Sequence, residues 1–437
     1  MTSLVFPLSR IEGHARVVIE TEAGKVLAAR FQAIELRGFR QFVQGIPAEQ
    51  MPVIVPRICG VCSTAHHVAS VKALEDAFGV VPPPLAEDLR EVLLLGQLIQ
   101  NQATSLFIFT MPDRVNVDSL FQMDETEASK ARQFSIARRA LKVRKAGTDL
   151  ITLAGGQFIH PIKARIGGMT TGIGRETADG MIRELEEMLP AACELFDEYW
   201  EMSMALRERI GTWGDDQPTF YLSSTGATRP RFNSSYLRVM GPDGAEMASF
   251  LASGYASFLE FEETDYSYAG RTSYQGQVMR ANSLARINLS ASMGTPRADR
   301  YLRRFSESFG KPAHAILLFD LCRGIELVYA MERAIEMLSQ DLNSKDPAVD
   351  YTPRDGIGYG LVEAPRGPLI HRYVIENGRI ADARFIIPTV HNMRAIERAV
   401  QVAGERYIDS ASINLELEQA VGRVVRAFDP CIACATQ

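Results

Sequence analysis

Apolar, β-branched residues concentrate in the β-prone run Ala15-Arg-Val-Val-Ile-Glu, break at Glu22-Ala-Gly24 and resume in an extended run from Val26 to Leu36. Such runs favour extended backbone, and a glycine-containing break lets the chain reverse, so residues 15–36 predict a β-hairpin. A second hairpin is predicted where Arg372-Tyr-Val-Ile-Glu and Arg384-Phe-Ile-Ile flank Asn377-Gly378, a dipeptide that tolerates the positive φ angles of a tight turn. Between them apolar residues recur at three- and four-residue intervals. Segments near 64–79, 86–110, 123–150, 174–211, 243–263, 317–341, 393–404 and 411–427 predict helices with few internal prolines. Gly, Pro, Asp, Asn and Ser cluster at 212–236 and 342–370, predicting loop-rich breaks whose aromatic and apolar residues set them apart from flexible tethers. The predicted fold is mainly α: a large helical-bundle core with short antiparallel β elements near both termini.

With 437 residues, 46% of them hydrophobic, the chain has ample material for a large core. Its 47 basic and 53 acidic residues give a formal net charge of −6 without a long run of either sign, so no nucleic-acid partner is predicted. Apolar runs such as Leu93-Leu-Leu and Ala315-Ile-Leu-Leu-Phe fall short of the roughly 20 residues of a membrane span, so no membrane insertion is predicted either. The amino terminus lacks the basic, apolar and small-residue regions of a secretory signal, which predicts a cytoplasmic chain. Six cysteines are too sparse for a disulfide scaffold. Cys193 and Cys322 lie in apolar helical contexts and are predicted to be buried thiols.

The other four form two pairs of identical spacing, Cys59-Gly-Val-Cys62 and Cys431-Ile-Ala-Cys434, at opposite ends of the chain. Thiolates so spaced grip one ion, and sulfur selects zinc, copper(I), iron–sulfur clusters or a redox metal over magnesium or calcium. A structural zinc tetrathiolate is one reading. The context of the pairs differs from a small zinc module, because Cys62 runs directly into Ser-Thr-Ala-His66-His67 and an apolar helical segment. On a helix His66 can turn back toward the Cys62 sulfur and tune it.

Arg57-Ile-Cys59-Gly-Val-Cys62 with His66, and Asp429-Pro-Cys431-Ile-Ala-Cys434, resemble the two signature motifs of the nickel–iron hydrogenase large subunit. The resemblance runs along nearly the whole chain, which predicts a single domain over 1–437 with both termini converging on the metal site. It includes Arg10-Ile-Glu12-Gly-His14, Gly155-Gly-Gln-Phe-Ile-His160-Pro161, Gly167-Gly168, Leu284-Ala-Arg286-Ile-Asn288 and Ala364-Pro365-Arg366-Gly367 with His371. It implies that Cys59 and Cys431 are terminal nickel ligands and that Cys62 and Cys434 bridge nickel to iron, with carbon monoxide and cyanide completing the iron. Heterolytic cleavage of dihydrogen also needs a base within reach of the released proton. By motif position, Cys431 would receive that proton and Glu12 would accept it next. Arg366 would place a permanent charge beside the open metal position. Pro365, Pro388 and Thr389 would surround the iron ligands, with a backbone donor and the Thr389 hydroxyl bonding cyanide. Asp429 would pair with Arg366 or fix the carboxyl-terminal turn.

Three positions depart from the family pattern. Arg40 follows Arg37-Gly38-Phe39 where a glutamate usually helps hold a magnesium-type ion, and Gln437 stands where a histidine or arginine is usual. A guanidinium repels a cation, so the separate ion is predicted to be lost and Arg40 to substitute for its charge, pairing with Glu12 or the terminal carboxylate. Asn101 occupies a position near Arg366 that is an aspartate in some branches. The motif style resembles the soluble, multisubunit branches, and with four cysteines at one centre an iron–sulfur-cluster small subunit is implied as partner, with further electron-transfer subunits beyond it. The implied function is interconversion of dihydrogen with protons and electrons. A dihydrogen-sensing protein on the same fold is the alternative within the family.

Overall fold

The computed structural model describes residues 2–121, 128–210, 213–215, 217–226, 228–345, 347–408 and 412–436. The amino-terminal hairpin forms as predicted, from strands Ala15–Glu22 and Lys25–Ala33 turning at Ala23-Gly24. A strand not predicted, Thr2–Pro7, pairs antiparallel with the first of these and completes a three-stranded sheet. Near the other end, strands Gly367–Glu376 and Arg379–Ile386 turn at Asn377-Gly378, both at positive φ. Strand Gly356–Ala364 pairs alongside them, so the predicted break at 342–370 is a strand over its second half.

Between the sheets the predicted helices form as Ser63–Phe78, Pro84–Ala103, Arg175–Ala205, Leu318–Leu338, Pro388–Tyr407 and Leu415–Phe428. Helix Pro84–Ala103 continues through a wider π turn, Thr104–Thr110, into Met111–Val115. Helix Ala128–Gly155 corresponds to the predicted 123–150; the predicted starts at 123–127 and at 411 lie outside the described residues. By length and composition Pro84–Val115 is apolar enough to cross a membrane, but 83% of its most apolar window is buried inside the fold. It packs between helices Ala128–Gly155 and Leu318–Leu338 as a core helix.

Two predictions fail for identifiable reasons. Residues 243–263 were expected to be a helix, yet Glu246–Leu251 pairs with strand Tyr236–Met240 across a Pro242-Asp243-Gly244 turn, and Leu259–Glu262 pairs with Arg271–Tyr274. Helix-forming Ala, Met and Leu at helical spacing are overridden there by cross-strand pairing. The break at 212–236 contains strand Phe220–Ser223, which joins the same four-stranded sheet. Helix Pro296–Phe309 was not predicted, because only Ala298, Leu302 and Phe305 form its buried stripe.

The site depends on one helix–strand seam. Strand Gly356–Ala364 lies on helix Ser63–Phe78, with Gly358 and Gly360 against the backbone at Ala69, Ala73 and Ala77. That helix begins at Cys62, and the strand leads to Arg366, so the seam sets the distance between them.

Candidate metal centre

Cys59 follows the short helical turn Val55–Ile58, and Cys62 stands at the start of helix Ser63–Phe78. Cys431 precedes and Cys434 lies within the single turn Ile432–Ala435. The two pairs meet because Glu12 and Cys431 form a parallel β-bridge, with the Ile432 N–H donating to the Glu12 carbonyl at 3.0 Å. Gly13 makes that approach possible: its φ is 79°, and a Cβ there would lie 2.8 Å from Ile432 Cβ. Sulfur separations are 3.4 Å for Cys59–Cys431, 3.7 Å for Cys62–Cys431 and 2.8 Å for Cys431–Cys434. All four sulfurs lie within 4.8 Å of one another, buried and free of disulfides.

Such an arrangement fits a thiophilic metal. Hydrogen bonds with Cys431 and then Cys434 hold the Cys59 and Cys62 thiols below their usual range, whereas burial pushes Cys431 and Cys434 up. A bound cation would deprotonate all four by direct coordination.

The charged groups around the sulfurs are equally confined. Glu12 Oε2 accepts from Cys431 Sγ at 3.0 Å and from the Ala433 N–H at 3.1 Å. Burial, followed by charge on Cys59, holds its carboxyl above the usual range. Arg366 Nη1 donates to Cys62 Sγ at 3.2 Å, its Nη2 to Asp429 Oδ1 at 2.9 Å and its Nε to the Asp429 carbonyl at 2.6 Å. Burial works against the Arg366 charge, but Asp429 and then the cysteines outweigh it and hold the guanidinium protonated. Of the two roles expected for it, Asp429 takes the pairing with Arg366, and at φ 49° it also ends helix Leu415–Phe428. Asn101 donates to Asp429 Oδ2 at 3.1 Å, so it reaches Arg366 through that carboxylate.

Thr389 Oγ1 accepts the Cys431 N–H at 2.9 Å, which leaves its own hydrogen free to donate. Pro388 opens helix Pro388–Tyr407, and a Cβ on Gly367 would lie 3.5 Å from it, so these residues adjoin the Pro365–Gly367 corner. His66 departs from expectation. Its Nδ1 bonds His371 Nε2 at 2.9 Å rather than turning to the Cys62 sulfur, and His371 continues to Tyr373 Oη at 2.8 Å. Burial keeps both rings neutral, His66 at about 4 despite the opposing charge of Cys59. Arg40 faces Asp382 at 3.5 Å rather than Glu12, and its other expected partner, the terminal carboxylate, belongs to Gln437, which lies outside the described residues.

A hub missed in the sequence holds the Pro365-Arg366 corner. Arg286 bonds Glu326 through Nε at 2.5 Å and Nη2 at 2.7 Å, Glu363 through Nη1 at 2.8 Å, and the Pro365 carbonyl through Nη2 at 2.7 Å. Asn282 likewise anchors the Phe428 carbonyl at 2.8 Å. The available signal was charge inside apolar runs, at Glu326 in Ile325-Glu-Leu-Val and Glu363 in Leu361-Val-Glu-Ala.

The family described as nickel-dependent hydrogenase matches residues 37–140 and 224–437, and one described as HoxL-like matches 4–36. The chain belongs to the nickel-dependent hydrogenase family. It is the catalytic large subunit of a nickel–iron hydrogenase, an oxidoreductase acting on dihydrogen. The vhu F420-non-reducing hydrogenase chain of Methanocaldococcus jannaschii is 36% identical over 92% of this chain and 98% of its own. NAD-reducing hydrogenase HoxS subunit beta of Cupriavidus necator is 28% identical over 99% of this chain and 94% of its own. An NAD+-reducing [NiFe]-hydrogenase crystallised in the H2-reduced state superposes with a TM-score of 0.92 at 27% identity, covering 100% of both chains. The reduced Ni-Fe-Se hydrogenase of D. vulgaris Hildenborough shares the fold, at TM-score 0.82 and 20% identity over 100% of both chains. Neither a structural zinc protein nor a dihydrogen sensor is favoured for this hydrogenase.

Proposed function

We propose that Cys59 and Cys431 are terminal nickel ligands, that Cys62 and Cys434 bridge nickel to iron, and that iron carries carbon monoxide and cyanide. When bound, that centre supplies the polarising and electron-accepting chemistry for dihydrogen. The observation that carries the rest is the 3.0 Å contact between Cys431 Sγ and Glu12 Oε2. A proton taken up at the Cys431 sulfur passes to Glu12, whose raised affinity lets it accept and then release. The Ala433 N–H holds the receiving oxygen in place. Arg366 keeps a fixed positive charge on the cluster and orients dihydrogen at the open position. Thr389, with its hydrogen free, donates to cyanide, with Pro365 and Pro388 walling the iron side; His66 stiffens the Cys62 helix through His371.

Electrons leave through a partner. Beyond the four clustered thiols, only Cys193 and Cys322 remain, too few for an iron–sulfur chain. An iron–sulfur-cluster small subunit therefore receives them, with further electron-transfer subunits beyond it, in the cytoplasm. The chain works as a single domain over 1–437. The separate magnesium-type ion is lost on this reading: Arg40, engaged with Asp382, brings a cation where a carboxylate ligand is usual. Cys59→Ser and Cys434→Ser are expected to abolish assembly of the centre. Glu12→Gln is expected to retain nickel and iron but to slow exchange between dihydrogen and solvent protons; full exchange activity at every pH would refute the proton route.

A further inference from the structure

The two segments that bring Glu12 and Cys431 together share a third anchor. Arg10, two residues before Glu12 and at φ 58°, donates from Nη2 to Asp113 Oδ1 at 2.7 Å and from Nη1 to the Phe109 carbonyl at 2.7 Å. Arg426, on the helix leading into the Cys431 motif, donates from Nε to Asp113 Oδ2 at 2.8 Å and from Nη2 to Oδ1 at 2.8 Å. It also reaches the Ser9 carbonyl at 3.4 Å, bridging directly to the amino-terminal segment. Asp113 and Arg426 are 9% and 8% exposed, so little water competes for these bonds. Asp113 sits on Met111–Val115, the last turn of the long core helix, and gives both segments one rigid reference.

We propose that Asp113 is a positioning residue that sets the separation of Glu12 and Cys431 for proton transfer. The proposal rests on Glu12 being the proton acceptor. Glu12 itself is held by one backbone bridge and by bonds from Cys431 Sγ and the Ala433 N–H, all of them to the carboxyl-terminal segment. The Arg10–Asp113–Arg426 clamp ties that segment and the amino-terminal one to the core helix. Proton transfer between sulfur and carboxylate is sensitive to such placement, and a shift of about 1 Å costs up to roughly a hundredfold in rate.

The test uses the purified holoenzyme complex and compares Asp113→Asn, Arg10→Lys and Glu12→Gln, alone and with Asp113→Asn combined with Glu12→Gln. Metal content and the carbonyl and cyanide infrared bands establish that the centre is intact. The carboxyl stretch of protonated Glu12, identified as the band lost in Glu12→Gln, reports its hydrogen bonding directly. Asp113→Asn is expected to keep the metals, shift that band, raise the solvent isotope effect and lower kcat about tenfold to a hundredfold with KM for dihydrogen unchanged. Added to Glu12→Gln it should cause no further loss. If Asp113→Asn fails to assemble, Arg10→Lys supplies the same comparison, because a lysine brings one nitrogen where Nη1 and Nη2 of Arg10 reach the Phe109 carbonyl and Asp113 separately. An impaired Glu12→Gln beside a clamp variant with unshifted band and isotope effect overturns the positioning role alone. Full activity in Glu12→Gln overturns the proton route, and the proposal with it.

Discussion

Replacing Gly360 by alanine tests whether the helix–strand seam sets the geometry of the metal centre. A Cβ at that position would lie 2.6 Å from the Ala73 nitrogen and closer still to the Ala69 carbonyl oxygen, both backbone atoms of helix Ser63–Phe78. An ordinary contact begins at 3.4 Å, so strand and helix must separate by about 0.8 Å at the amide and more at the carbonyl. Overpacking of this kind costs about 1–3 kcal/mol, and backbone neighbours that cannot rotate away place it near the upper end. With about 2.1 cal/mol/K of unfolding entropy per residue over 437 residues, the melting point should fall by about 2–3 °C. The functional effect should be larger than the thermal one. The strand leads to Arg366, whose Nη1 lies 3.2 Å from Cys62 Sγ, and the helix starts from Cys62, so the separation acts on that bond. Calorimetry and infrared spectroscopy of the purified complex, with hydrogen uptake, provide the assay. Gly174→Ala is the control, since no atom lies within 4 Å of its added Cβ. Wild-type melting, bands and uptake in Gly360→Ala would refute the claim that this seam positions Arg366 against the cysteines.

Arg286→Lys keeps the charge but loses the fork that spans Glu326, Glu363 and the Pro365 carbonyl at once, at carboxylates 1% and 0% exposed that retain Gln102 and Ser224 as donors. It should cost about 1.5–3 kcal/mol and shift the infrared bands, and unaltered stability to denaturant would contradict it. Thr389→Val leaves the Cys431 N–H without its acceptor, which should cost about 1–3 kcal/mol while the metals are retained. The cyanide bands should move in the same variant, and unmoved bands would remove Thr389 from the iron side. His67 provides a pH test: Ala164 N–H donates to its Nε2 at 3.2 Å, so Nδ1 carries the proton to the Pro52 carbonyl and further protonation breaks the first bond. Burial lowers its pKa from 6.5 to about 4, so the unfolded chain takes the proton first as pH falls. Its contribution is complete above pH 6.5 and declines by about 3 kcal/mol as pH falls to 4, a slope that His67→Gln should remove from denaturant titrations.

Short-range patterns in the sequence carried much of the architecture. The hairpin at 15–36 and the Asn377-Gly378 turn are local, and each long helix repeats its apolar stripe over several turns. Strand Thr2–Pro7 has no such independence, since its partner lies beyond the next loop. Gly358 and Gly360 looked like loop residues by composition, whereas in the fold they are strand positions emptied of side chains so that a helix can approach. The same division holds at the site. Four cysteines, Glu12 and Arg366 sit in compact motifs, so their types and spacings point to chemistry before any fold is known. The Arg10–Asp113–Arg426 clamp joins residues separated by 103 and 313 positions, and the Arg286 hub spans 40 and 77, so only tertiary contact defines them. Arg40 shows the limit of substitution logic: its charge was assigned to Glu12 or the terminal carboxylate, and the sheet brings Asp382 within its reach, while the terminal residue lies outside the described residues.

The most direct test of the central claim is metal analysis joined to infrared spectroscopy on the purified complex containing this chain. Four convergent thiols in a nickel-dependent hydrogenase predict one nickel per copy of this chain, iron in excess of nickel because the partner's clusters add theirs, and carbonyl and cyanide bands that disappear in Cys434→Ser. Stoichiometric zinc, without nickel and without those bands, would contradict it.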